Sequence, residues 1–445
     1  YCKLDKFQIA LEYGLKASEL NKLNLGEESD AYIRSLCDNS KIYFNLGMYQ
    51  ESESQLLTAL EILSRLSISN VTTNGLVLSN LADLYSELGN YENAEKYYLE
   101  ALRIAEDNNG KNHENYFIPL HNLGLLYLNN GDFSKGLDLI MESLDIATSI
   151  YGDRNTNLAT IYCNISSLLA SAGLSQESGN LLLQAAEIVK ENDLIPSMYL
   201  MVHDNIGNYL NKYDKSGGNA ERYFEMCVNY SDSLLGKYHP DRIEFLNSLG
   251  LVQIEKGKIN DAYKTINEEM NILKEHVLSL NNYMTEKQRA EYNNIIADAF
   301  HTPLLLCLRS DGENEAINRL AYDNIIFNKG YMLRATNQIQ KSIFESNDTT
   351  LISQWNELTT KKQQIQVLQE KEPQSDYLKQ IQEEAERLEK QITRYSAAYR
   401  ENQAMWKITW DSVQNHLSSN DVAIEYFSAP LSEDSTMYCA LLLRH

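Results

Sequence analysis

One glycine position of this chain returns every 42 residues. The residues at that position are glycines with a single exception: Gly47, Gly89, Gly131, Gly173, Lys215 and Gly257. Small residues keep the same step five positions later: Ser52, Ala94, Gly136, Ser178, Ala220 and Ala262. Tyrosines keep it four positions before the glycine: Tyr1, Tyr43, Tyr85 and Tyr127. Self-similarity at a fixed period of this length predicts stacked repeats, in which each unit packs only on its neighbours.

The segment 80–104 shows how one unit folds. Leu81, Leu84 and Leu88 recur at helical spacing, and Gly89 ends this helix because glycine accepts the left-handed turn conformation. Small and aromatic residues then mark one face of a second helix: Ala94, Tyr98, Ala101 and Leu102. Neither helix can bury its apolar face alone, so the units must stack on one another.

These residues resemble the tetratricopeptide repeat. Its alternation of small, aromatic and glycine positions is present as Ala82, Tyr85, Gly89, Tyr91, Ala94, Tyr98 and Ala101. The step is longer than the usual length of about 34 residues, which is similar to the kinesin-light-chain type of repeat. The linker between repeats of that type is recognisable in Leu235–Asp241. The resemblance implies an all-α, right-handed α-solenoid over residues 1–284: a partial unit and six units beginning near Ile33, Gly75, Phe117, Ala159, Met201 and Ile243.

The period changes after this solenoid. Residues 285–346 contain two long helical patterns, Glu286–Arg309 and Glu313–Phe344, that predict a degenerate helix pair capping the solenoid. Residues 347–408 carry two apolar seams on either side of Pro373, and they predict an antiparallel helical hairpin. The seam residues are Trp355, Leu358, Ile365, Leu368, Ile381, Ala385, Leu388, Ile392, Tyr395 and Tyr399. Two surface helices packed on the solenoid are the alternative interpretation.

The composition shifts again in residues 409–445. Val422–Ser428 and Thr436–Arg444 are rich in β-branched, aromatic and leucine residues, and they predict a β-hairpin with a loop of about eight to nine residues. Two strands alone are marginally stable in water, so we expect them to belong to a truncated α/β domain.

The order of these parts resembles the TPR–CHAT family, in which a caspase-like cysteine peptidase fold follows tetratricopeptide repeats. The resemblance rests on Ala321–Ala335, on the charged hairpin, on Thr409–Leu417 and on the first strand. In that family the catalytic His and Cys lie beyond the second strand. The resemblance therefore gives a catalytic role to no residue of this chain, and we expect the chain alone not to be an enzyme.

Composition restricts the partners. The formal net charge of −23 repels phosphate backbones, so we expect no direct nucleic-acid ligand and favour a basic or extended protein or peptide. No apolar run approaches the roughly 18 residues of a membrane span, so no membrane association is expected. The 6 cysteines form no CxxC pair, which indicates reduced thiols and a cytoplasmic protein. The chain begins at Tyr1, which leaves a signal peptide upstream open.

Candidate catalytic and metal residues carry little weight. His416 and Cys439 precede the position of the family's dyad, so we assign them no nucleophilic role. His113 and His239 lie three repeat lengths apart, which indicates linker residues that cap or pack and not metal ligands. The sequence has no HExxH pair and no phosphate-binding loop, so we predict no cofactor and no metal.

A ladder of asparagines is the candidate binding surface. In the repeat family the first helices line the concave face, and an asparagine there can both donate to and accept from a peptide backbone. The ladder consists of Asn80, Asn122, Asn164 and Asn205. The predicted polar and apolar neighbours are Asp83, Asn129, Ser167, Asn208, Leu125 and Leu251. The alternative is that each asparagine ties adjacent repeats together.

We therefore expect an interaction scaffold that binds a protein or peptide and regulates a C-terminal caspase-like peptidase. One alternative is the substrate-docking part of an active cysteine peptidase. Another is a protein subunit of a bacterial ribonucleoprotein defence complex, contacted through protein.

Overall fold

The structure of the chain is a computed structural model that divides into two compact units, Tyr1–Lys256 and Gly257–His445. The division falls inside the sixth expected repeat, between its two helices. The structure describes residues 7–66, 71–152, 155–191, 196–214, 218–235, 239, 241–280, 284–297, 299–371, 373, 375–397, 408–432 and 435–444.

The first unit is built of tandem helix pairs, as the 42-residue period predicts. A single helix, α1, precedes the pairs, and each later helix packs on the next one along the chain. The helices are α1 (Phe7–Leu25), α2 (Asp30–Asn45), α3 (Tyr49–Arg65), α4 (Val71–Glu87), α5 (Tyr91–Asn109), α6 (Glu114–Asn129), α7 (Phe133–Tyr151), α8 (Thr156–Ser171), α9 (Ser175–Glu191), α10 (Pro196–Tyr213), α11 (Gly218–Leu234) and α12 (Asp241–Glu255). The expected helical solenoid is confirmed, and α1 matches the second helix of the partial first unit.

The repeated glycine ends the first helix of a pair. Gly47, Gly89, Gly131 and Gly173 all have positive φ, between 69° and 88°. A residue with a Cβ would be strained in this conformation, which explains why the position recurs as glycine. The equivalent position Lys215 and the irregular turn around it lie outside the described residues, as does most of the linker 235–241.

The repeated small residues let the two helices of a pair approach closely. In α4 and α5, Ala82, Ala94 and Ala101 are buried together with Leu84 and Tyr98. Apolar burial of this kind stabilises a pair by about 25 cal/mol per Å². The two helices therefore bury their apolar faces against each other, as the sequence pattern predicts.

The solenoid of the first unit also makes contacts between distant repeats. Leu235, at the end of α11, packs against Ala10 of α1 and Ile42 of α2. The Nε2 of His239 donates to the backbone carbonyl of Asn45. These contacts bring the start of α12 close to the earliest repeats, and the candidate binding surface depends on this closure.

The second unit begins with α13 (Ile259–Leu280). The expected single helix over Glu286–Arg309 is wrong, because the chain forms α14 (Glu286–Ile296), a 3₁₀ turn (Ala299–His301) and α15 (Thr302–Arg309). Pro303 explains the break: it lacks a backbone N–H and its ring disfavours a helix that continues through it. The long helix that follows, α16 (Glu315–Glu345), agrees with the second expected pattern.

The expected helical hairpin is present in the second unit as α17 (Thr349–Lys371) and α18 (Asp376–Ala397), with Pro373 in the turn. Leu358 of α17 packs with Ala385 and Ile392 of α18. Ile339 and Ile343 of α16 complete this cluster, so the hairpin also packs on α16. The seam residue Tyr399 lies outside the described residues.

The C-terminal residues form a short helix, α19 (Trp410–Gln414), and an antiparallel strand pair, β1 (Val422–Ser432) and β2 (Ser435–Arg444). The expected loop of eight to nine residues is wrong, because strand pairing continues to Ser432 and Ser435. A register irregularity between Pro430 and Ser432 accommodates the proline, which cannot donate to the ladder.

Candidate partner-binding surface

First helices from four different pairs of the first unit meet around one cavity. Its volume is about 460 Å³. α4, α8, α10 and α12 are not all neighbours in the stack, so their shared cavity lies on the inner side of the solenoid. The residues that contribute polar groups to it are Glu87, Thr160, Ser197, Asp204, Asn205, Asp241 and Glu244. Leu235, Met201 and Phe245 provide apolar wall.

Four of these lining residues are carboxylates. Restricted hydration and the negative charges of Asp241 and Glu244 raise the pKa of Glu87 to about 7, although solvent still reaches its side chain. Burial and the charge of Glu244 raise the pKa of Asp204 to about 7. Burial and the charge of Asp241 raise the pKa of Glu244 above its ordinary value. Among the described residues that line the cavity there is no Lys or Arg, so the charges oppose one another without a counter-ion.

Asp83, a predicted site residue, lies on α4 one helical turn before Glu87. Its Oδ1 accepts hydrogen bonds from the Tyr98 hydroxyl at 2.7 Å and from the Asn122 amide at 2.8 Å. Burial raises the pKa of Asp83, and these two donors oppose that rise. Asn122 therefore connects α6 to the preceding helix pair.

Asn164 makes the corresponding connection one repeat later. Its Nδ2 lies 2.9 Å from Nε2 of the buried His121, and Nδ1 of His121 lies 3.3 Å from the Ser143 hydroxyl. Burial lowers the pKa of His121 to about 4, so the ring is neutral at pH 7. The neutral ring can accept from Asn164 and donate to Ser143. This chain of polar groups joins α8 to α6 and α7.

Asn205 and Asn208 continue the pattern on α10. The Ser167 hydroxyl of α8 donates to Oδ1 of Asn205 at 2.9 Å. The amide of Asn208 donates to the Asp204 carboxylate at 2.9 Å within the same helix. Three members of the asparagine ladder, Asn122, Asn164 and Asn205, thus bond to the neighbouring repeat.

The remaining predicted site residues are not drawn into these bonds. The side chain of Asn80 is half-buried, and it makes no hydrogen bond to any residue that the structure describes. Leu125 and Leu251 are half-buried, and Asn129 is exposed. Leu125, Ser167 and Leu251 occupy the repeat position of Asp83, so these side chains are spread along one stripe of the first helices. Of the predicted set, only Asn205 lines the four-helix cavity.

Sequence reasoning missed Glu87, Asp204 and Glu244. A signal for each of them was present: Glu87 lies four residues after Asp83, Asp204 directly precedes Asn205, and Glu244 occupies the repeat position of Thr160. The sequence could not show that these three side chains line one cavity, because this depends on contacts between repeats that are far apart in the chain.

The histidines predicted to cap or pack do so. Nδ1 of His113 accepts from the Asn115 N–H at the start of α6, and Nδ1 of His239 accepts from the Asp241 N–H at the start of α12. In the described part of the chain, no group of three or more His, Cys, Asp or Glu side chains has the arrangement of a metal site. No helix there has the length and apolar character needed to cross a bilayer.

Known proteins resemble this architecture. A family model described as tetratricopeptide repeat matches residues 74–135 and 117–191. Residues 74–191 of the chain contain tetratricopeptide repeats. None of the curated proteins compared with the chain matches it.

Several solved structures have a similar backbone. BtubC (BKLC) from P. vanneervenii is 18% identical, with a TM-score of 0.40, and the match covers 53% of this chain and 94% of that one. A kinesin light chain protein of Podospora anserina is 17% identical, with a TM-score of 0.36 and coverages of 46% and 97%. A Rap protein complexed with competence and sporulation factor is 14% identical, with a TM-score of 0.47 and coverages of 74% and 99%. At these values the likenesses carry no conclusion about function.

Proposed function

We propose that the first unit is a protein-binding scaffold whose inner face takes an extended, basic segment of a partner protein. The observation that carries this proposal is the convergence of Glu87, Asp204, Asp241 and Glu244 on one cavity whose described lining contains no cation. Tetratricopeptide repeats fit a protein-interaction scaffold. The negative charge of the cavity favours a partner segment with Lys or Arg side chains.

A Lys or Arg side chain of the partner would relieve the repulsion among these carboxylates. Restricted hydration, together with this repulsion, raises the pKa of Glu87 and of Asp204 to about 7, so both groups are partly protonated near neutral pH. A bound cation favours their ionised forms and lowers both pKa values. Binding should therefore release protons, and affinity for a basic ligand should rise between pH 6 and pH 8.

The asparagine ladder takes a structural part in this proposal. Asn122, Asn164 and Asn205 hold successive first helices in register through Asp83, His121 and Ser167, so they shape the surface. Asn205 lines the cavity as well, and its amide donates to the Met201 carbonyl. Asn80, Leu125, Asn129 and Leu251 extend the surface along the same stripe.

The test uses two blocked 12-residue peptides, one alternating Lys and Gly and the other alternating Glu and Gly. Isothermal titration calorimetry of the full chain should show binding of the basic peptide and not of the acidic one. The double variant Glu87→Gln and Glu244→Gln should weaken that binding by at least tenfold, since a charge-assisted bond contributes about 1.5–3 kcal/mol.

A matched control keeps the change of net charge the same. Asp138→Asn with Asp145→Asn removes two exposed carboxylates from α7, outside the cavity lining, and should leave affinity nearly unchanged. Equal losses in the two double variants would show that only net charge matters, and the cavity would then not be the site. Circular dichroism checks that each variant folds.

We also propose, from the resemblance to TPR–CHAT proteins, that partner binding regulates a caspase-like peptidase attached to these repeats. One feature of the second unit supports it: Tyr426, Tyr438 and Leu442 of the strand pair are 54–83% exposed, an apolar surface that a larger sheet domain could cover. A peptidase assay on the full-length protein, with and without the basic partner, tests this regulation. Unchanged activity on partner binding would contradict it.

A further inference from the structure

A second pocket lies on the opposite face of α10. Tyr199, His203 and Ile206 line it, whereas Met201, Asp204 and Asn205 face the carboxylate cavity. With about 100° per residue, these two sets of α10 residues point about 180° apart. The pocket has a volume of about 810 Å³ between α9, α10 and α11, which falls in the range of small-molecule sites, about 300–1,000 Å³.

Substitutions within the repeat explain why the pocket exists here. Ala186 of α9 stands where the preceding units have Leu60, Leu102 and Leu144, and Gly179 stands where they have Glu53, Glu95 and Leu137. Both small residues line the pocket. At Ala186 the loss of side-chain volume opens space that leucine fills in the other units. At Gly179 the ring of Tyr209 enters, with its hydroxyl 2.7 Å from where a Cβ would lie.

Aromatic rings form one wall of the pocket. The rings of Tyr199 and His203 stack with centroids 3.7 Å apart, and the Tyr223 ring lies 5.6 Å from His203. The His203 ring is oriented by its Nδ1, which lies 2.7 Å from the Tyr199 carbonyl. Burial lowers the pKa of His203, so the ring is neutral at pH 7 and presents an uncharged face.

One cation stands at the edge of this wall. Arg222 of α11 lines the pocket and is exposed, and it forms no ion pair or hydrogen bond with any residue in the described ranges. In a chain of net charge −23, a guanidinium without a carboxylate partner beside an aromatic pocket is distinctive. Asn180, Gln176 and Asn219 add neutral polar groups around it.

We propose that this pocket binds a planar aromatic carboxylate. The ligand ring packs against Tyr199, His203 and Tyr223, because offset stacking favours a flat partner. The ligand carboxylate pairs with the planar fork of Arg222, which matches carboxylate geometry. The site is separate from the carboxylate cavity, so its occupant does not depend on the function proposed above.

The test uses 2-naphthoate as the probe and naphthalene-2-carboxamide as its neutral counterpart. Calorimetry of the full chain should show saturable binding of 2-naphthoate and at least tenfold weaker binding of the amide, because the charged pair is lost. No binding of 2-naphthoate at millimolar concentration, or equal affinity for the two probes, would overturn the proposal.

Two variants locate the site. Ala186→Leu restores the leucine of the other units and should abolish binding of both probes without loss of stability. Arg222→Gln should reduce affinity for 2-naphthoate about tenfold and leave affinity for the amide unchanged. Arg103→Gln removes an equal charge from α5 and serves as the control. Arg222 is exposed, so Arg222→Gln should leave the core intact. If this variant bound 2-naphthoate as tightly as the unaltered chain, the probe would bind at another site.

A third probe distinguishes the source of the ligand. N-acetyl-Gly-Gly-Phe carries an aromatic ring and a carboxylate at a peptide C-terminus, with two sp3 carbons between them. Its competition with 2-naphthoate would indicate that a chain end can occupy the pocket, whereas failure to compete would restrict the ligand to a free aromatic acid.

Discussion

Two clusters of acidic side chains, one in each unit, have opposite environments. In the first unit, the pKa of Glu87 and that of Asp204 rise to about 7 around a cavity lined by other carboxylates. In the second unit, a hydrogen bond from Lys362 lowers the pKa of Glu286, and one from Lys361 lowers that of Glu384. Carboxylates that pair with lysines hold helices together. In the described part of the chain, those of the cavity have only neutral donors, such as the Tyr49 hydroxyl on Glu87, so a cationic ligand can still pair with them. The difference distinguishes a structural network from a candidate binding site.

The network of the second unit centres on Glu389 of α18. One oxygen accepts the Glu286 N–H at 2.8 Å, and the other pairs with Lys362 of α17 at 2.9 Å. The guanidinium of Arg289 is buried on α14 and contributes positive charge nearby. This arrangement joins the hairpin to the start of α14.

The largest effect should follow from breaking this network. Glu389→Gln removes the charge that Lys362 and Arg289 face in a buried site, and it should destabilise the second unit by about 2–3 kcal/mol. Urea unfolding followed by tryptophan fluorescence measures it, since Trp355 and Trp410 both lie in that unit. A cost as small as that of Glu87→Gln would erase the contrast between the two clusters of acids.

The two units also differ in how much space surrounds their helical glycines. A Cβ on Gly136 of α7 would lie 2.8 Å from the Gly124 carbonyl of α6 and 2.6 Å from Leu128 carbons. A Cβ on Gly330 of α16 would meet only the end of the flexible Arg334 side chain. The close approach belongs to the repeat, where the preceding pair has Ala82 and Ala94.

The same substitution should therefore have different effects in the two units. Gly136→Ala forces α6 and α7 apart and should cost about 2 kcal/mol, because overpacking strains backbone as well as side chain. Gly330→Ala should cost less, about 1 kcal/mol, because Arg334 must leave the Ile326 and Phe327 carbonyls, whereas alanine favours a helix. Thermal unfolding by circular dichroism compares them. A loss in Gly330→Ala as large as in Gly136→Ala would contradict this account.

The helix pairs of the first unit were predictable from residues such as Gly89, Ala94 and Tyr98, because glycine turns and small contacts are local and recur at a fixed step. The helix break before Pro303 also has a local cause. It was not predicted because the apolar residues on both sides of it keep a helical spacing. The β-strand pairing beyond Pro430 was not predicted. Proline has no N–H to donate to the partner strand, but a register irregularity lets the pairing continue past it.

The candidate site was less predictable. The ladder position of Asn122 and Asn164 was readable, but whether they face a partner or the next repeat depends on side-chain geometry. The carboxylate cavity required Glu87 and Glu244 to meet from units that are far apart in sequence. Contacts such as that between His239 and Asn45 determine this closure, and no periodic pattern encodes them.

The smallest expected effect is a pH dependence that has opposite signs in the two units. The folded pKa of Asp204 lies near 7 and its ordinary value is 3.8, so between pH 4 and pH 7 the folded state binds more protons than the unfolded one. The stability of the first unit should therefore fall as pH rises through this window. For Glu286 the folded pKa is lowered, so its contribution is present above its ordinary value of 4.5 and is lost as pH falls below it.

The variant Asp204→Asn isolates the first of these slopes. It removes the charge and keeps the shape, so it should stabilise α10 by roughly 1 kcal/mol at pH 8 and by less at pH 5, after discounting for partial exposure. Hydrogen exchange of α10 amides, corrected for the intrinsic rate at each pH, reports on that helix alone, with α18 as the internal reference. If Asp204→Asn changed protection equally at both pH values, the carboxylate would be ionised throughout and its environment would be no different from that of a surface acid.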